Sequence, residues 1–266
     1  MKRLLEEMTF LEFAEAMKED RVILLPFGSQ EVQGPCNPMG DFMLSRELAL
    51  RVAANADALV APTVPFGYAD FFRNIPGSIQ LSASTFQGLA KDMVLSLLDN
   101  GCRRLLILNG HTQNSSLLEI ALREIRRETG YAIPWMNIWM SVSWKTLTSA
   151  HGDKAKAAFG HGCDPLGSVC EYFFPGLTRR SEATNTGTGK TFMGMTTRGL
   201  GAVAVNDVVV NMPLRVQEHC DFVTSGDPAL SNAAAGEKIV NQLVADISQV
   251  VRHLRALPVE QLLVPK

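Results

Sequence analysis

An apolar run at residues 105–108 stops at Asn109-Gly110-His111-Thr112-Gln113-Asn114, a turn that carries an imidazole, side-chain amides and a hydroxyl. A second segment is built the same way. Apolar residues 22–27 run into Gly28-Ser29-Gln30-Glu31-Val32-Gln33-Gly34-Pro35, and Asp41 follows ten positions after Glu31. Strand ends of this kind are where α/β enzymes keep their reacting groups. Glu31, Asp41 and His111 together supply two hard oxygens and one borderline nitrogen, a set that suits zinc, manganese or iron and leaves coordination positions open for water. Structural zinc sites are usually closed by thiolates, so a centre made of these three would be catalytic. By residue type alone the same three also read as two solvated loop acids and a helix-capping histidine, and spacing does not separate the two readings.

The surrounding pattern alternates strands and helices. Thr9 and Glu12 form a capping-box pattern ahead of Phe10, Leu11, Phe13 and Met17, which predicts an amphipathic helix before a first strand at 21–27. Helical spacing of Leu44, Leu48 and Val52 precedes a strand-like 58–62, and a helix over 85–100 precedes a strand at 104–108. Residues 115–129 read as a helix stopped by Gly130, with another strand at 131–140. Such alternation argues for α/β architecture with a largely parallel sheet and right-handed crossovers. Residues 63–77, rich in aromatics, Gly and Pro, suit a shaped loop beside a site. From Trp144 to about Asn211 the pattern loosens, and Asp227-Pro228 opens a closing helix with Ile239, Val240, Leu243, Ile247, Val250 and Leu254 on its apolar side. No linker-like boundary interrupts 1–266, so a single domain is expected.

Composition narrows the function classes. With 46% hydrophobic residues over 266 positions the chain can bury a large core. Its 25 basic and 27 acidic residues give a net charge of −2, which offers no field for nucleic acid or anionic lipid. No export signal or membrane-length apolar run is visible, and five cysteines without a Cys-x-x-Cys pair fit a reducing cytoplasm. A small-molecule partner is the expectation. Cys36 and Cys163 lie in the suspected loops and offer a metal-free, thiol-based alternative. Gly187-Thr188-Gly189-Lys190-Thr191 imitates a phosphate-binding loop, but Thr184 stands where its first glycine belongs and the preceding segment is polar, which argues against nucleotide binding.

Taken together, the stretches at 25–35, Ile75-Pro76-Gly77-Ser78-Ile79, 109–114, Gly160-His161-Gly162 and Gly226-Asp227-Pro228 resemble the creatininase (creatinine amidohydrolase) family. The resemblance implies a three-layer α/β/α sandwich with a mostly parallel sheet, a homo-oligomer that is commonly a hexamer, and opening of cyclic or linear amides at a two-metal centre of zinc or manganese. It places Glu31, Asp41 and His111 on metal-ligand positions, and His161 on the position of a histidine that shuttles a proton. Glu31 and His161 are therefore the expected catalytic residues. The chain also departs from the family pattern. Gln33 stands where the family has His, Gln113 where creatininases have Glu, and Leu166 where a further Glu is expected. A neutral amide brings no charge and only weak donation, so one of the two ions should bind poorly or not at all. Gln33 and Gln113 remain second-metal or substrate positions, and Asp164 and Glu171 are candidates to replace the missing glutamate. Trp135, Trp139 and Trp144 lie in a region that the resemblance associates with the walls of the substrate pocket. The expected activity is hydrolysis of creatinine or a related small amide or formamide by an ion-activated water. A catalytically impaired relative that binds a small molecule or serves structurally is the alternative.

Overall fold

The computed structural model describes residues 2–184 and 190–263. Thr9 caps α1 (Phe10–Met17) through the reciprocal box: its hydroxyl accepts from the Glu12 N–H, and the Glu12 carboxylate accepts from the Thr9 N–H. Next come β1 (Ile23–Phe27), α2 (Asp41–Ala56), β2 (Leu59–Val60), α3 (Ala83–Asp99), β3 (Leu105–Asn109), α4 (Asn114–Thr129) and β4 (Trp135–Asn137). The strands pair in parallel in the order β2-β1-β3-β4, with Ile23 opposite both Leu59 and Leu105, and Ile107 opposite Trp135. The strand expected over 131–140 is confined to β4, because a tight turn at Trp139–Ser141 ends it.

The loosely patterned region is more ordered than its sequence suggests. It holds α5 (Trp144–His151), the single turn α6 (Ala155–Ala158) and α7 (Leu166–Phe173). An antiparallel sheet follows, made of β5 (Thr191–Phe192), β6 (Met195–Thr197), β7 (Ala202–Val205) and β8 (Val208–Asn211). Elements of two to eight residues are too short to display a period, so periodicity could not reveal them. The apolar run in this region is a hairpin turned at Asn206, which takes the left-handed conformation, and Val208, Val209 and Val210 of edge strand β8 are exposed. The phosphate-loop imitation falls mostly outside the described residues. Lys190 at its end pairs with Asp221 instead.

The chain closes with the single turn α8 (Val216–His219) and the long α9 (Ala233–Ala256). Asp227-Pro228 starts only one short turn, in which the Asp227 carboxylate accepts from Ala229 N–H; α9 begins later, capped by Asn232. Its buried stripe runs Leu243, Ile247, Val251, so Val251 takes the core position assigned to Val250, which is partly exposed.

Alternation along the strands produces two apolar layers. Leu24, Val60, Leu106 and Leu108 face Leu44 and Leu48 of α2, Val169 of α7 and Ile239 and Leu243 of α9. Ile23, Leu25, Phe27 and Ile107 face Phe86 and Val94 of α3 and Leu118 and Ile125 of α4. The result is the expected α/β/α sandwich. Connections leave the sheet in opposite directions after β1 and β3, so the crevice between their carboxyl ends is the topological switch point, where ligands bind in such sheets. Among the described residues, no helix is long and apolar enough to cross a membrane.

Candidate metal centre and catalytic cavity

Both switch-point strands are followed directly by a glycine for a steric reason. A Cβ on Gly28 would come within 2.5 Å of Asp41 Oδ1 and of the Phe42 backbone, so the bare backbone lets the amino end of α2 settle against the end of β1. At Gly110 a Cβ would lie 1.9 Å from Ser45 Oγ of the same helix. Amides brace the turn. Asn109 donates to His111 O at 2.7 Å and to Asn137 Oδ1 at 2.6 Å; Asn114 donates to Gly28 O and accepts from Tyr68 N–H at 2.9 Å.

This frame gathers Glu31, Asp41 and His111, each buried, with one ligand atom from each lying within 4.8 Å of the others. His111 Nδ1 is 2.9 Å from Glu31 Oε2 and 3.5 Å from Asp41 Oδ2. The other ring nitrogen, Nε2, donates to Tyr68 O at 3.0 Å. That bond orients the ring so that Nδ1 faces the carboxylates, the orientation that metal-binding histidines use once Nδ1 has lost its proton. Asp41 is held by Ser29, whose backbone N–H donates to Oδ1 and whose hydroxyl donates to Oδ2 at 2.9 Å. Glu31 Oε1 accepts from Gln33 Nε2 at 2.8 Å, whereas buried Glu31 Oε2 faces His111 Nδ1.

The electrostatics describe a cluster in want of positive charge. Burial pushes Asp41 up to about 6. Burial also opposes ionisation of Glu31, but the charge and hydrogen bond of His111 outweigh it and hold that carboxyl below its ordinary value. His111 is discouraged by burial from carrying charge, yet Glu31 and Asp41 raise it to about 10. Without an ion, a proton on His111 thus compensates the carboxylates. The donor set, two buried carboxylates facing one imidazole, fits a divalent cation taking that place.

A cavity of about 370 Å³ opens over this cluster. Gln33 and Gln113 both line it, Gln113 from the position just before α4. His161 lines it too, stacked on Phe72 with ring centroids 4.8 Å apart, its Nε2 donating to Val32 O at 3.0 Å. Burial, the largest influence, holds the His161 imidazole below its ordinary pKa. Leu166 is an apolar wall of the cavity. Of the two acids considered as replacements for a glutamate there, Asp164 borders the cavity but accepts bonds from His151 Nε2, Ser168 N–H and Oγ, and Ser231 Oγ. Glu171 does not line the cavity and pairs with Arg180. Only Trp139 of the three tryptophans lines it, its indole N–H donating to Gly110 O; Trp135 packs in the layer under α3 and α4, and Trp144 is exposed edge-on to Phe159.

The sequence flagged the aromatic loop that supplies Phe71 and Phe72, but not Phe159 or Leu200, which also line the cavity. Phe159 directly precedes Gly160-His161, a usable signal. Leu200 arrives from the turn between β6 and β7, which no local pattern announces. Cys36 and Cys163 are buried outside the cavity lining, and burial raises Cys36 and pushes Cys163 up to about 12, which leaves both poor nucleophiles.

Comparison with known proteins gives the family and the fold. The chain is 34% identical over 131 residues to a creatinine amidohydrolase from Pseudomonas putida, a match covering 45% of this chain and 50% of that protein. It is 25% identical over 185 residues to a 3-dehydro-scyllo-inosose hydrolase from Thermotoga maritima, covering 68% of this chain and 59% of the relative. It is 26% identical over 245 residues to a mycofactocin precursor peptide peptidase from Mycobacterium ulcerans, covering 86% and 84%. The matches thus span little more than half the length of the first two relatives. Among solved structures, a manganese creatininase superimposes with a TM-score of 0.79 at 23% identity, and a variant creatininase in a Zn–Zn form with 0.78 at 23%, each covering 97% of this chain and 100% of the other. The family model described as creatinine amidohydrolase matches residues 6–251, and the chain belongs to the creatininase family of hydrolases.

Proposed function

We propose that this chain is a metal-dependent amidohydrolase that opens a small cyclic amide, creatinine or a relative, or a formamide, using Glu31, Asp41 and His111 to hold one zinc or manganese ion. The observation that carries the reading is the buried cluster in which one ligand atom each of Glu31, Asp41 and His111 lies within 4.8 Å of the others, with the His111 ring held by Tyr68 O. A bound divalent ion would polarise the scissile carbonyl and lower the pKa of water. The protein groups do the rest. Gln33 keeps Glu31 oriented through the bond to Oε1. His161, neutral near pH 7 and with Nε2–H directed at Val32 O, has Nδ1 free to accept a proton and pass it to the leaving nitrogen. Phe72, Trp139 and Phe159 give the cavity faces for a flat ring, and about 370 Å³ suits a small molecule. Assignment of a single ion follows from the amides at 33 and 113, where the family resemblance places an imidazole and a carboxylate. Family resemblance also makes a homo-oligomer, hexameric by that pattern, part of the proposal, and the five cysteines without a Cys-x-x-Cys pair add a reducing cytoplasm to it.

Elemental analysis of the purified protein tests this, paired with hydrolysis of creatinine and small formamides before and after chelation. We expect one equivalent of ion per chain, activity lost on chelation, and recovery with zinc or manganese. Metal-free protein with chelator-insensitive behaviour would overturn the reading. A non-catalytic binding protein is the second reading, favoured by the apolar wall that Leu166 makes where a glutamate is expected. It predicts that Gln33→His with Gln113→Glu raises metal affinity although the parent chain has no turnover.

A further inference from the structure

A second groove of about 490 Å³ adjoins the first cavity, sharing Phe71, Thr112 and Gln113 as a common wall. Its chemistry differs from that of the aromatic chamber. Arg73 and Arg215 line it, and Asp70 is the lone carboxylate among its lining residues. Asp70 takes only the Nε of Arg73, at 2.7 Å; Glu218 accepts from the backbone N–H of Arg215 at 2.7 Å, and among the described residues no carboxylate forms an ion pair with the Arg215 guanidinium. The groove also receives Ser115 and Ser116 from the first turn of the 16-residue α4, a turn that contains no acidic residue. The shared wall carries the neutral Gln113 at the position where the family resemblance places a glutamate, so among the lining residues two guanidiniums meet one carboxylate, with Glu218 outside the lining and engaged by the Arg215 N–H.

We infer that this groove is a subsite for an anionic oxygen group, a carboxylate or a phosphate, on a substrate whose scissile amide lies in the adjoining cavity. The inference rests on the amidohydrolase reading and narrows it, because bare creatinine has no such group to place there. Planar guanidiniums favour carboxylate and phosphate oxygens over neutral amides through charge-assisted paired hydrogen bonds, and the positive end of α4 adds to that preference.

The test uses the zinc-loaded full chain and the monohydroxamates of succinic, glutaric and adipic acids, each titrated calorimetrically against a methyl-ended hydroxamate of equal length. The hydroxamate anchors at the metal and the chain length searches the span. For the length that reaches, the acid-ended probe should bind about tenfold more tightly, and Arg215→Gln or Arg73→Gln should close most of that gap, with Arg215→Lys retaining part of it. Equal binding of acid-ended and methyl-ended probes, or a gap untouched by both glutamine variants, would overturn the subsite while leaving the metal reading intact. If no hydroxamate binds, the metal reading fails, and the subsite is then decided by phenylglyoxal labelling of Arg215 in the wild-type chain. Slowed labelling in glutarate or inorganic phosphate but not in glutaramide supports it, and unchanged labelling refutes it. Whichever of the two anions protects better identifies the group as carboxylate or phosphate.

Discussion

Gln33→Leu should weaken zinc binding by about ten- to a hundredfold without emptying the site. The side chains are similar in size, so packing is largely kept and the change removes chiefly the 2.8 Å bond from Gln33 Nε2 to Glu31 Oε1. A hydrogen bond to a charged group contributes about 1.5–3 kcal/mol, which corresponds to roughly that range of affinity. Loss of groups that orient a metal ligand from behind has effects of about the same size. Competition with a chromophoric chelator at fixed pH measures the constant. Thermal unfolding supplies an independent reading, because ion at about a hundred times its Kd stabilises the fold by about 2.7 kcal/mol. At roughly 2–4 °C per kcal/mol for a chain of this size, wild type should gain about 5–10 °C on zinc addition, and the variant distinctly less at the same zinc concentration. An unchanged zinc constant in a folded Gln33→Leu protein would refute the argument that this amide holds Glu31 in its ligand position.

Converting Gln33→His together with Gln113→Glu should bring a second equivalent of ion into the purified protein, read by elemental analysis. His161→Asn should lower kcat by about 10²–10⁴-fold while leaving the zinc constant unchanged if, as proposed, the imidazole moves a proton and does not hold the ion. Gly110→Ala places a Cβ 1.9 Å from Ser45 Oγ and should destabilise the fold by about 1–3 kcal/mol in urea titrations, with Ser45→Ala relieving part of the loss. For Cys163, pushed up to about 12 by burial, only about one thiol in 10⁴ is ionised at pH 8; native protein should therefore resist iodoacetamide at this site and keep its activity.

The fold was legible where the chain repeats a long period. Residues 22–27 and 105–108 declared buried strands because they are continuous apolar runs closed by glycine, and Glu31, Asp41 and His111 were legible as ligand candidates because they sit at those strand ends. Their convergence depends on β1 and β3 being neighbours, which alternation of strands and helices favours but does not specify. What Gln33 does was hidden, because an amide can be ligand, donor or bystander until its partner is placed, and the partner is Glu31 Oε1. Asp227-Pro228 misled for a related reason: a helix-starting pattern also starts a single turn, and only the later Asn232 cap begins the long helix. Leu200 reaches the cavity from an antiparallel sheet of very short strands, so its contribution exists only in three dimensions.

The amides at 33 and 113 have a practical consequence for anyone wishing to retune this protein. Neither belongs to the apolar layers on the two faces of the sheet; each sits on a connection and lines the cavity, Gln33 buried against Glu31. Exchanging this pair of loop side chains therefore alters the cavity lining while the two apolar layers of the sheet are spared from repacking.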